Sequence, residues 1–200
     1  MRAIWTRLAP GIATLALALA SGAAKADCDF LTGGGFIITT GGGTHDPAKA
    51  NFGVAGGCSK KDGTPTWGHL EYIDHGTSPN LNVHGTSITH YFPDPSDSRA
   101  RFICGKARTN LPAPNDNDVD FAVRALDVAE PGVDDEFDIQ LTQPQGNVNV
   151  IVYTTNFNFL PTTAHKLNDG DGGGGNIKLH GPRAGDGPCP AQVGVIGAPA

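Results

Sequence analysis

Short runs in which apolar and polar side chains alternate, separated by glycine, proline, asparagine and aspartate, recur along the chain from residue 36 onward. Alternation with a period of two is the mark of a half-buried strand, and helical periodicity is nearly absent. The runs are Phe36–Thr40, Ala50–Gly56, His69–Asp74, Leu81–Tyr91, Arg101–Thr109, Val119–Val128, Phe137–Thr142, Val148–Thr155 and Asn176–His180. Phe121, Val123 and Ala125 alternate well, as do Phe137, Ile139 and Leu141. Nine short strands predict an all-β domain, an antiparallel two-sheet sandwich of Ig-like kind, with a small barrel as the alternative.

The connections carry turn chemistry: Pro93-Asp94-Pro95-Ser96-Asp97, Pro112-Ala113-Pro114-Asn115 and Glu130-Pro131-Gly132. Leu160–Gly175 reads as a long mobile loop, and residues 182–200 as a flexible Gly/Pro/Ala-rich tail. Gly33–Gly35 and Gly172–Gly175 precede strands rather than a helix, and no Gly-Lys-Ser/Thr follows, which excludes a phosphate loop. Tight turns or bulges into the first and last strands are expected there.

The N-terminus changes the setting. Arg2 and Arg7 precede an apolar run, Ile12–Ala20, and Ala24-Lys25-Ala26 supplies small residues for a signal peptidase. Residues 1–26 are read as a signal peptide cleaved after Ala26, with a domain over 27–181. The run is short for a bilayer span, and Asp27 before Cys28 breaks a lipobox, so no membrane anchor is expected after cleavage. The expected location is outside the cytoplasm, extracellular or periplasmic. Loss of Arg2, Arg7 and Lys25 with the leader leaves 11 basic against 20 acidic residues, a net charge of −9. That balance favours solubility and opposes nucleic acid as a partner.

Four cysteines, Cys28, Cys58, Cys104 and Cys189, follow the leader. An even count in an exported chain reads as two disulfides, and no C-x-x-C spacing supports zinc. Phe52 and Val54 share parity with Cys58, and Phe102 shares parity with Cys104, so both cysteines are expected to face one core. This pairs Cys58 with Cys104 and leaves Cys28 for Cys189, a bridge joining the domain's ends and stabilising it by about 4 kcal/mol.

Several segments together resemble a known family. They are Cys28-Asp-Phe-Leu-Thr-Gly-Gly-Gly-Phe-Ile, Ala50-Asn-Phe-Gly-Val, Gly68-His-Leu-Glu-Tyr-Ile-Asp-His75 and Leu81-Asn-Val-His-Gly-Thr-Ser-Ile-Thr89. Glu130-Pro-Gly and Gly-Gly-Gly-Asn-Ile-Lys-Leu-His180 complete the set. In order and spacing they resemble the bacterial domain that follows choice-of-anchor P modules in surface proteins, the post-COAP domain. The resemblance spans nearly all of residues 27–181 and implies a secreted or surface-displayed β-domain without an established activity. Against that pattern the chain reads as the module made free-standing.

Candidate chemistry is sparse. His69, His75, His84 and His90 fall in one region, and a hairpin could bring one histidine from each strand to zinc, copper or nickel. Same-face residues six apart in a strand lie roughly 20 Å apart, so exposed sheet histidines are the plainer expectation. Asp116, Asp118 and Asp120 resemble the opening of a calcium loop, but Phe121 stands where that loop needs glycine. A solvated acidic turn is the plainer reading there, and for Asp134-Asp135-Glu136 and Asp169-Gly-Asp171. No G-x-S-x-G, H-E-x-x-H or S-x-x-K pattern occurs. Trp67 and Tyr72 are candidates to stack on a sugar, and Tyr91 is expected to be exposed. Two functions follow: a non-catalytic extracellular domain, binding or structural, whose partner is a surface protein or glycan; or a small secreted hydrolase using acidic residues, acting on polysaccharide.

Overall fold

The computed structural model describes residues 28–39, 47–58, 66–112, 119–146, 148–170 and 172–182. Residues 1–26, read above as a signal peptide, Asp116, Asp118, Asp171, Cys189 and residues 183–200 of the stretch read as a tail lie outside them. Nine strands are described: β1 (Phe30–Thr39), β2 (Ala48–Cys58), β3 (Thr66–Asp74), β4 (Leu81–Asp94), β5 (Asp97–Thr109), β6 (Val119–Leu126), β7 (Glu136–Gln145), β8 (Val148–Thr154) and β9 (Gly174–His180). Each contains or overlaps one of the alternating runs.

The strands form one antiparallel sheet, ordered β8-β7-β6-β5-β4-β3-β2-β1-β9, that curls into a half-barrel. The described strands belong to one sheet, not to the two that a sandwich requires. Each of β1 to β7 pairs with its successor, so the sheet grows in chain order, and β9 returns to pair with β1. Periodicity reports which side chains share a face, but not whether successive strands remain in one sheet. Register shifts in the β4–β5 ladder, at Gly85/Ser87 and Ile88/His90, mark bulges of the kind that bend a sheet.

Curling brings distant strands face to face. Phe52 of β2 stacks on Phe137 of β7 with ring centroids 3.8 Å apart, although five steps of the sheet separate them. Leu31, Ile37, Val54, Leu70, Val83, Ile103, Val123, Ile139, Leu141 and Ile177 fill the space between. Polar chains close this core. Tyr72 and Tyr153 hydroxyls meet at 2.6 Å, and Tyr153 donates to Asp74 at 2.7 Å. Elsewhere Arg101 is paired with Asp29, which also accepts from Tyr91 at 2.7 Å. Tyr91 is 3% exposed, so the expectation of an exposed ring fails.

The glycine clusters serve the strands themselves. Gly33–Gly35 lie inside β1, opposite Ile177–Gly175 of β9. A Cβ on Gly35 would come within 2.1 Å of the Gly174 carbonyl oxygen, and Gly175 adopts φ +131°. Only glycine permits both the approach and the dihedral. Within the stretch expected to be a mobile loop, Leu167 is fully buried, and its backbone exchanges hydrogen bonds with Asp134 and Asp135.

The disulfide joins Cys28 to Cys58, with Cα atoms 5.9 Å apart. Cys58 therefore does not pair with Cys104, nor Cys28 with Cys189. Phe102 and Cys104 do share a face, but β5 is apolar on both faces, and theirs is not the one that Cys58 looks into. Ile103 and Ala107 face the main core, whereas Phe102 and Cys104 belong to a second cluster with Phe92, Ala122 and Phe159. Cys104 is a buried thiol with no disulfide partner among the described residues. A disulfide suggests a non-cytoplasmic location. No described helix is long and apolar enough to cross a membrane.

Candidate functional site

The outer face of β6 and β7 carries charge where an ordinary barrel exterior would be solvated. Arg124 on β6 stands on the opposite parity to Phe121, Val123 and Ala125 and so points to the other side. Its neighbours across the ladders are Phe102 of β5 and Asp138 of β7. Arg124 is 3% exposed. Its Nε donates to Asp94 Oδ2 and its Nη1 to Glu136 Oε2, both at 2.6 Å. Asp94 also accepts from the Ser96 hydroxyl at 2.6 Å. Burial alone would raise the Asp94 carboxyl, but hydrogen bonds from Ser96 and Arg124 outweigh it and hold that carboxyl below its ordinary range. Burial would likewise depress Arg124, and its two carboxylates reverse this, so the guanidinium is held charged.

Over this buried triad lies a pocket of 360 Å³. Its mouth carries Asp97, Arg99, Asp134 and Lys166, and its apolar wall is Leu126, Val128 and Pro161. The mouth charges are paired, Arg99 with Asp97 at 2.7 Å and Lys166 with Asp134 at 3.4 Å. The loop after β8 supplies Pro161 and Lys166, held by the Glu136–Lys166 bridge. Beside the pocket Asp138, 1% exposed, accepts from His165 Nδ1 at 2.7 Å, Thr155 at 3.0 Å and Asn156 at 3.0 Å. This buried carboxylate pins the 154–165 segment against the sheet.

The residues that drew attention in the sequence are dispersed. His84 stands opposite Glu71 in the β3–β4 ladder and pairs with it through Nδ1 at 2.5 Å, both side chains exposed. His69 is exposed on β3, His75 is held in the following turn by Asn51 and Asn80, and His90 lies opposite Cys104 of β5. No group of three metal-ligating side chains forms among the described residues. Asp120 pairs with Lys106 at 2.7 Å, while Asp116 and Asp118 lie outside the described residues. Tyr72 is buried in the core, and Trp67 is half-buried with its ring 5.7 Å from Phe30.

Asp134-Asp135-Glu136 is no solvated turn beyond Asp134. Asp135 is fully buried and accepts from the backbone N–H groups of Val128 and Ile177, at 2.8 and 2.7 Å. Burial dominates there and raises its carboxyl. The Arg124 cluster escaped the sequence reading because its members come from four separate segments. The available signal was a lone arginine on the polar parity of an apolar strand. No family model, curated protein or solved structure matches the chain.

Proposed function

We propose that the chain is a secreted, non-catalytic binding domain that holds a glycan or a polar segment of a surface protein in the pocket over Arg124. The observation that carries this reading is the commitment of both inner carboxylates, Asp94 and Glu136, to one guanidinium. A glycosidase needs one carboxyl kept protonated as an acid. Asp94 is driven the other way, towards permanent charge. Paired charges at the mouth with an apolar wall at Leu126, Val128 and Pro161 suit a neutral, hydroxyl-rich ligand. Hydroxyl groups would exchange hydrogen bonds with the ion pairs, and the ring's C–H face would cover the wall.

The leader-like N-terminus and the disulfide support export, and the resemblance to post-COAP domains supports a place at the bacterial surface. Incubation with a panel of polysaccharides tests the reading. Retention without new reducing ends is expected. Release of reducing ends would replace it with the secreted hydrolase.

A further inference from the structure

The two edges of the sheet are treated differently. At one edge, β9 turns the N–H groups of Ile177 and Leu179 away from β1, and side chains receive them. Asp135 accepts from Ile177 at 2.7 Å and Asp127 from Leu179 at 2.8 Å. These carboxylates cap a row of donors that would otherwise template another strand. At the other edge lies β8, Val148-Asn-Val-Ile-Val-Tyr-Thr154, paired on one side with β7 and with no strand on its other side among the described residues.

The composition of β8 does not blunt that edge, although the β7–β8 ladder skips Val152 in a bulge. The strand has no proline, lysine or other charge, and four of its seven residues are Val or Ile. Val148 is 62% exposed, and Val150, Ile151 and Val152 are half-buried. Such a strand is the type that proteins normally protect with lysine or proline, and from Val148 to Ile151, before the bulge, it has neither. Neutrality extends past the strand, since residues 143–154 contain no charged side chain in a chain with 20 acidic residues. This is therefore the stretch where two copies of an acidic protein meet least repulsion.

We propose that β8 pairs antiparallel with β8 of a second copy across a two-fold axis, joining two half-barrels into one continuous sheet. An antiparallel pair of identical strands is self-complementary, as a two-fold interface requires. Seven residues give a seam about 23 Å long. An interface this narrow falls at the weak end of protein contacts, so the dimer forms reversibly with concentration.

Sedimentation of the full exported chain over a concentration series tests this. The mass is expected to climb from one copy toward two. Val148→Lys, at an exposed site that leaves the core untouched, and Val150→Lys, at mid-strand, each weaken association at least tenfold. Circular dichroism checks that each variant folds, and Val148→Lys decides the matter if Val150→Lys does not. A single-copy mass at every concentration overturns the proposal, as does a dimer indifferent to both lysines. Slow hydrogen exchange, in the dilute single copy, at the β8 amides that point away from β7 also overturns it, because another part of the chain would then cover the edge.

Discussion

Replacing Arg124 with leucine removes the one cation ion-paired with Asp94 and Glu136 among the described residues while keeping an apolar stem beside Phe102. Both carboxylates stay buried, at 6% and 8% exposure, without a counter-charge. Breaking a buried pair by deleting one partner costs about 3–5 kcal/mol, a large part of the 5–15 kcal/mol typical of a domain. At about 2–4 °C per kcal/mol for a chain of this size, Tm falls by roughly 6–20 °C. Adding Asp94→Asn and Glu136→Gln removes the stranded charges, and the triple variant recovers most of the loss. The pH dependence follows from the sign of the Asp94 shift. In the wild type its carboxyl lies below the ordinary value, so its contribution is present above that value and lost as pH falls through the folded one. In Arg124→Leu the Asp94 carboxyl loses the guanidinium that lowers it and protonates more readily, so the variant's deficit narrows below about pH 5. Urea melts at pH 7 and pH 4 measure both effects. A deficit under about 1 kcal/mol, or one equal at both pH values, refutes the reasoning.

Further outcomes follow from other buried groups. Asp135→Asn places an amide NH₂ against backbone N–H donors and should cost about 1–3 kcal/mol in denaturant melts, although the wild-type carboxyl is itself raised by burial. A raised carboxyl contributes most below its unfolded value and loses that contribution as pH rises through the folded one, so the loss in Asp135→Asn is larger at low pH. Cys28→Ser with Cys58→Ser opens a bridge between residues 30 apart and should cost about 3.5 kcal/mol by loop entropy. Burial pushes the Cys104 thiol up to about 12, so iodoacetamide should leave it unmodified in the folded protein at pH 8 and label it only in denaturant. EDTA is expected to leave Tm unchanged, since Asp120 is engaged by Lys106, and a fall of several degrees would bring back the calcium loop.

The nine alternating runs were legible because period-two patterning is a local property, and each coincides with a strand. Architecture was not, because the same alternation suits one curled sheet or two stacked ones. Cys104 shows the limit most clearly. Phe102 and Cys104 do share a face, but the sequence of β5 is apolar on both, and only the register to Ala122 and Phe159's position reveal the outer side. The Arg124 site depends on ladders β5–β6 and β6–β7 and on a loop returning from residue 166, none of which a linear pattern encodes. The histidine cluster looked dense in sequence because its members are near neighbours. Along an extended hairpin that nearness becomes separation.

The binding account rests on the mouth of the pocket, where Arg99 and Lys166 offer exposed donors without supporting the fold. Calorimetric titration of the wild type and of Arg99→Ala/Lys166→Ala with the oligosaccharide best retained from the panel tests it directly. Saturable binding with the sugar recovered intact, weakened at least tenfold in the double variant, is the predicted result. Undiminished binding by that variant, or recovery of shortened sugar, would contradict it.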